Sequence, residues 1–94
     1  MSTLHIINKA NASQGLSSCL RVMLPGDGLL LIEDGVYLAA QLPALPEAVR
    51  AHVLQEDLQA RGIALPGEGS ALFTVDYAGF VALVCAYARS VSWS

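Results

Sequence analysis

The stretch LLLIEDGVY, Leu29 to Tyr37, decides the fold. Leu29 to Ile32 is an unbroken apolar run, the pattern of a strand covered on both faces. Glu33-Asp34-Gly35 then interrupts it, and Val36, Tyr37, Leu38, Ala39 and Ala40 follow as a short helix. Asp34 is placed to cap that helix, since aspartate at a strand-to-helix turn can accept from free backbone N–H groups.

The same order of strand, acidic turn and helix returns twice. Val49 to Leu54 reads as a strand, Glu56-Asp57 as its junction, and Gln55 to Arg61 as a short helix closed by Gly62. Ala71 to Val75 reads as a strand, Asp76-Tyr77 as its junction, and Tyr77 to Ala88 as the most apolar helix. Upstream, Leu4 to Asn8 forms a strand. A helix capped by Ser13 runs to about Leu24, with Leu16, Leu20, Met23 and Leu24 on one face, and Pro25-Gly26 ends it. Pro43 and Pro46 break their segment into a loop, at most with one helical turn. Pro66-Gly67-Glu68-Gly69 is a flexible connection and the best candidate for disorder. Val91-Ser92-Trp93 is a short edge strand or an extended tail. Strands alternating with helices predict one α/β domain over residues 1–94, a small three-layer α/β/α body on a mostly parallel sheet of four to five strands. The residues do not specify the strand order.

Composition narrows the function. The chain of 94 residues is 54% hydrophobic and 14% charged, against roughly 25% charged in an ordinary globular domain. A body this small buries only roughly 60–65% of its unfolded surface, so apolar surface is left over and a protein interface is expected. The helix from Tyr77 to Ala88 and the Val36 to Ala40 segment are the candidates for it. Net charge is −3, and Lys9, Arg21, Arg50, Arg61 and Arg89 are scattered, which argues against direct nucleic-acid binding. The apolar stretch from Tyr77 to Ala88 is shorter than the roughly 20 residues of a membrane span. The opening MSTLHIINK lacks the form of a signal peptide, so a cytoplasmic location is expected, and Asn11-Ala12-Ser13 is a coincidental glycosylation pattern.

The chemistry-bearing residues are few. Asn8, Glu33, Asp34, Glu56, Asp57 and Asp76 should gather at the carboxyl ends of the strands, where open parallel sheets bind ligands. A metal or phosphoacceptor pocket is one reading of them, and helix capping is the stronger. No glycine-rich phosphate loop follows a strand, and neither a C-x-x-C pair nor a zinc spacing occurs. Cys19 borders the apolar stripe of its helix, and reactivity would need exposure and a lowered pKa. Cys85, among Phe80, Val81, Leu83, Val84 and Tyr87, is expected to pack in the core and stay protonated. His5 and His52 lie inside strands with no partner at triad spacing, so packing or exposure is expected for both. Tyr87 and Trp93 either anchor an interface or close the sheet edge.

Several strings together resemble the TusB/DsrH family of sulfur-relay proteins. They are LHIINK at Leu4 to Lys9, LSSCLR at Leu16 to Arg21 with Pro25-Gly26-Asp27 after it, LLLIEDGVY at Leu29 to Tyr37, EDLQARG at Glu56 to Gly62, VDYAGFVAL at Val75 to Leu83, and Trp93. The resemblance implies the smallest subunit of a heterohexamer, a dimer of heterotrimers with TusC/DsrF-like and TusD/DsrE-like partners. That assembly passes persulfide sulfur between cysteine carriers and on to a downstream acceptor protein. In one branch the sulfur reaches 2-thiouridine at the tRNA wobble position; in the other, a DsrH-type subunit serves dissimilatory sulfur oxidation. The resemblance places the main carrier cysteine on the TusD/DsrE-type partner and makes this chain mainly structural and non-catalytic, without cofactor or metal. Cys19 stands where DsrH-type members carry a cysteine, which makes it the candidate sulfur-binding thiol.

Overall fold

The computed structural model describes residues 2–9, 13–67 and 71–93, with the backbone alone at Ser13 and Gln14. The Ser13 cap, the Asn11-Ala12-Ser13 pattern and the Glu68-Gly69 part of the connection fall outside what is described. The chain runs β1 (Thr3–Ile7), α1 (Ser13–Val22), β2 (Gly28–Leu31), a 3-10 helix (Glu33–Gln41), β3 (Arg50–Leu54), α2 (Gln55–Ala60), β4 (Leu72–Val75), α3 (Tyr77–Ala86) and β5 (Arg89–Trp93). The fold is α/β, on a five-stranded sheet ordered β4-β3-β2-β1-β5 with every pairing parallel.

That order decides where the helices lie. From β1 to β4 the chain steps in one direction across the sheet, and right-handed crossovers put α1, the 3-10 helix and α2 on one face. The step from β4 to β5 runs back across the sheet, so α3 lies on the other face. The core divides accordingly. Ile7, Leu29, Leu31, Ala51 and Val53 pack with Leu16, Cys19, Met23, Val36, Leu38 and Leu58 under the three helices. Leu4, Ile6 and Leu30 point the other way, toward Phe80, Leu83 and Tyr87.

Local chemistry shifts several expected boundaries. Helix α1 stops at Val22, because the N–H of Leu24 is taken by the Asp27 carboxylate at 3.1 Å. Leu24 is therefore exposed, and the buried stripe is Leu16, Cys19 and Met23. Asp34 does not cap the helix after β2. Ile32 holds the cap position without a side-chain bond, and Asp34 accepts from Arg61 Nε at 2.9 Å. That helix is wound as a 3-10 helix. Its start is pinned to the end of β1, where a methyl group at Gly35 would overlap the Ile7 carbonyl. The Val36 to Ala40 segment is open only in part, since Val36 and Leu38 are buried in the chain's own core while Tyr37 and Ala40 are exposed. At the C-terminus, β5 is an edge strand two residues longer than expected, beginning at Arg89.

Candidate functional site

Parallel strands bring the acidic junctions to one edge of the sheet, as their positions after β2, β3 and β4 require. There Asp34 pairs with Arg61, and Asp76, Asp57 and Glu56 serve the backbone, the last two that of a neighbouring element. Asp76 caps its own helix, accepting from Gly79 N at 2.8 Å. Asp57 Oδ2 accepts from Glu33 N at 2.5 Å, and Glu56 Oε2 accepts from Tyr77 N at 3.2 Å. Each thus satisfies the first N–H of a helix that is not its own. Asp57 Oδ1 also lies 3.6 Å from Arg61 Nη1. Asn8, at the end of β1, has a buried Oδ1 with no hydrogen bond. Among the described residues no group of three or more His, Cys, Asp or Glu could hold a metal ion.

The two cysteines have opposite surroundings. Cys19 is fully buried beneath α1. Burial, with the nearby charge of Asp27 adding to it, pushes its thiol up to about 12. A thiol in that state is neutral near pH 7 and a poor nucleophile. Cys85 is exposed on α3, which corrects its expected place in the core. The reason lies in the helix: nearly every residue of YAGFVALVCA is apolar, so it has no polar side, and none of its residues is buried in this chain. Phe80 and Leu83 rest on the sheet, while Tyr77, Val81, Val84 and Cys85 look outward. Val81 is 62% exposed and Tyr77 55%. Phe73 of β4 is half exposed on the same side of the sheet, with the Arg50 guanidinium 5.9 Å from its ring centroid.

A second cluster was not legible from spacing. His5 is buried on β1, with Nε2 3.0 Å from Asp27 Oδ2. Asp27 also accepts Thr3 N at 3.0 Å. Burial alone would raise the Asp27 carboxyl, but the bonds from His5, Leu24 N–H and Thr3 N–H hold it below the usual carboxylate value. On the other side of the ring, Trp93 Nε1 lies 3.1 Å from His5 Nδ1, with the two rings stacked 6.1 Å apart. An indole N–H only donates, so Nδ1 accepts and the imidazole proton sits on Nε2, facing Asp27. The one sequence signal for Asp27 was its place after Pro25-Gly26, which gave no hint of His5. Trp93 and Tyr87 both close the chain's own sheet: Trp93 packs on the larger core, and Tyr87 covers Gly28. His52 is buried beside Phe73 with no partner for Nδ1. Burial holds its pKa below the ordinary imidazole value, and the Arg50 charge adds to this against a contribution from the Leu29 backbone.

An apolar groove of about 460 Å³ lies beside the β4 edge, lined by Leu42, Leu45, Val49 and Leu72 among others. Its described lining carries no titratable side chain, so it offers no acid, base or nucleophile. No described helix is long and apolar enough to cross a membrane.

Comparison with known proteins agrees with this picture. A family model described as DsrH like protein matches residues 10–90. The chain is 36% identical over 96 residues to proteins named Protein TusB from Salmonella dublin and Salmonella typhimurium strain LT2, covering 96% of this chain and 99% of each relative. In three dimensions it resembles the solution NMR structure of protein Tm0979 from Thermotoga maritima. The TM-score is 0.64 at 22% identity, over 92% of this chain and 93% of that one, which shows a shared fold. A family match across most of the sequence, with relatives this similar along nearly their full length, places the chain in the DsrH-like protein family.

Proposed function

We propose that this chain is the TusB/DsrH-type subunit of a cytoplasmic sulfur-relay assembly, and that it builds the assembly rather than carrying the sulfur. The observation that carries this reading is the outer face of α3, apolar along its length and uncovered in the single chain. The partners that would cover it are TusC/DsrF-like and TusD/DsrE-like subunits, arranged as a dimer of heterotrimers. The names of the relatives support a destination in 2-thiolation of the tRNA wobble uridine. The acidic surface supports contact with proteins rather than with tRNA.

Sulfur transfer between carriers is attack by a thiolate on the outer sulfur of a persulfide. Cys19, buried and held neutral, has neither the access nor the charge state for that attack. We therefore assign it to packing. The alternative, a DsrH-type role in sulfur oxidation with Cys19 as the sulfur-binding thiol, requires α1 to lift from the sheet.

Co-expression with the two partner-type subunits, followed by light scattering on the purified material, tests the assembly role. The expected result is a joint particle that Val81→Glu dissolves. A chain that stays monomeric beside both partners overturns the reading. Mass spectrometry after incubation with a persulfide donor tests Cys19. A gain of 32 Da, about one sulfur atom, that disappears in Cys19→Ser would make it a carrier after all.

A further inference from the structure

We propose that His5 and Trp93 form an acid-sensitive latch that holds the C-terminal edge strand β5 on the sheet. This goes beyond the assembly role and does not depend on it. Strand β5 is an edge, its residues Arg89 to Ser92 are exposed, and β1 is its one neighbour in the sheet. Side-chain attachment comes from its two ends. Arg89 Nε donates to Thr3 Oγ1 at 3.0 Å, and Trp93 Nε1 donates to His5 Nδ1 at 3.1 Å.

The second bond requires a bare Nδ1. When a solvent proton binds there, the imidazole becomes a donor on both nitrogens and meets the indole N–H donor to donor. The Nε2 proton stays with Asp27, whose bonds to Thr3 N and Leu24 N are untouched. Protonation therefore strengthens the link between β1 and the 23–27 turn while breaking the link to β5. Among the described residues, the titratable and charged groups around His5 are Asp27 in that turn, Cys19 on α1, close enough to feel the Asp27 charge, and Arg89 on β5. From β2 the neighbour at this register is Leu29, which carries no charge. Asp27 faces Nε2, and Arg89 is held two positions away on Thr3.

Amide hydrogen exchange on the full chain, corrected for intrinsic rates, tests the latch at pH 8 and pH 5.5, across the range in which imidazoles titrate. With one tryptophan in the sequence, its indole N–H is a single resonance. The expected result is a loss of protection at that indole and at the β5 amides about tenfold greater, the size of one broken buried hydrogen bond, than any loss that β2 and β3 share through the protonation of buried His52. His5→Gln keeps a donor toward Asp27 and an acceptor toward Trp93 but does not titrate, so its β5 protection should change with pH no more than that of β2 and β3. Equal β5 protection in the wild type at both pH values, a loss at β5 no greater than at β2 and β3, or the same excess loss in His5→Gln each overturns the proposal. Should His5→Gln fail to fold, Trp93→Phe serves. Its β5 protection should be low already at pH 8, and a further loss on acidification beyond that of β2 and β3 overturns the latch.

Discussion

Asp57 Oδ2 accepts the backbone N–H of Glu33, 24 residues earlier in the chain, at 2.5 Å. Glu33 sits at φ +50°, a left-handed backbone conformation that non-glycine residues seldom adopt. The carboxylate thus ties down a strained turn and anchors the start of α2 to the start of the 3-10 helix. Asp57→Ala should destabilise the chain by about 1–2 kcal/mol, the cost of losing a helix-start acceptor. Urea unfolding measures it, and a change under about 0.3 kcal/mol would contradict this role.

Ala48 has the same backbone problem without such a partner. Its φ is +63°, and its carbonyl accepts from Gly26 N at 3.1 Å across the loop before β3. Ala48→Gly should therefore raise stability by about 1 kcal/mol, since the left-handed conformation costs about that much for a residue with a Cβ. An upward shift of the thermal midpoint is the expected reading, and a downward shift contradicts it.

His52 predicts a pH dependence. Its folded pKa is depressed, so the unfolded state binds the proton more readily. The stability it contributes is complete above about pH 6.5, the ordinary imidazole value, and is lost as pH falls below that. His52→Leu removes both the titration and the orphan Nδ1. Between pH 6.5 and its folded pKa, the wild type should lose stability at up to about 1.4 kcal/mol per pH unit, a slope absent from the variant. Denaturant midpoints at pH 7.5 and 5.5 decide the matter. Asp27, also depressed, adds its own loss only at more acidic pH, below its unfolded value of about 3.9.

The thiols should separate cleanly under native conditions. Cys85, exposed on α3, should react with an aromatic disulfide at once, and Cys19 only after denaturant is added. Peptide mapping of the labelled chain distinguishes them. In the assembled complex, covering α3 should slow labelling of Cys85 as well, which links this measurement to the proposed interface.

Val81 points away from the sheet at 62% exposure. Val81→Glu should change the stability of the single chain by no more than about 0.5 kcal/mol, as exposed substitutions generally do. It should still abolish association with the partner subunits. Loss of the single chain's fold would show instead that α3 owes its position to Val81.

Much of the fold was legible because it rests on local signals. The apolar run Leu29 to Ile32, the acidic turns and the Pro25-Gly26 break mark strands and helix ends to within two or three residues. Periodicity failed where a helix is apolar on every side. In YAGFVALVCA no residue type marks the face that meets the sheet, so Cys85 could not be told from Phe80. Of the acidic residues expected to cap helices, Asp76 caps its own, Asp34 pairs with Arg61 instead, and Asp57 and Glu56 serve helices 21 to 24 residues away in sequence. Spacing along one helix cannot reveal such an address.

By itself, then, the sequence determined the alternation of strands and helices, the parallel sheet and the surplus of apolar surface, because each follows from residue type over a few neighbouring positions. Only the tertiary structure decided the order β4-β3-β2-β1-β5. With that order came the isolation of α3 on one face, the burial of Cys19 and the meeting of His5 with Asp27 and Trp93. Those depend on which strand lies beside which. Pairing of parallel strands is settled by packing between segments distant in the chain, a quantity that no local pattern carries.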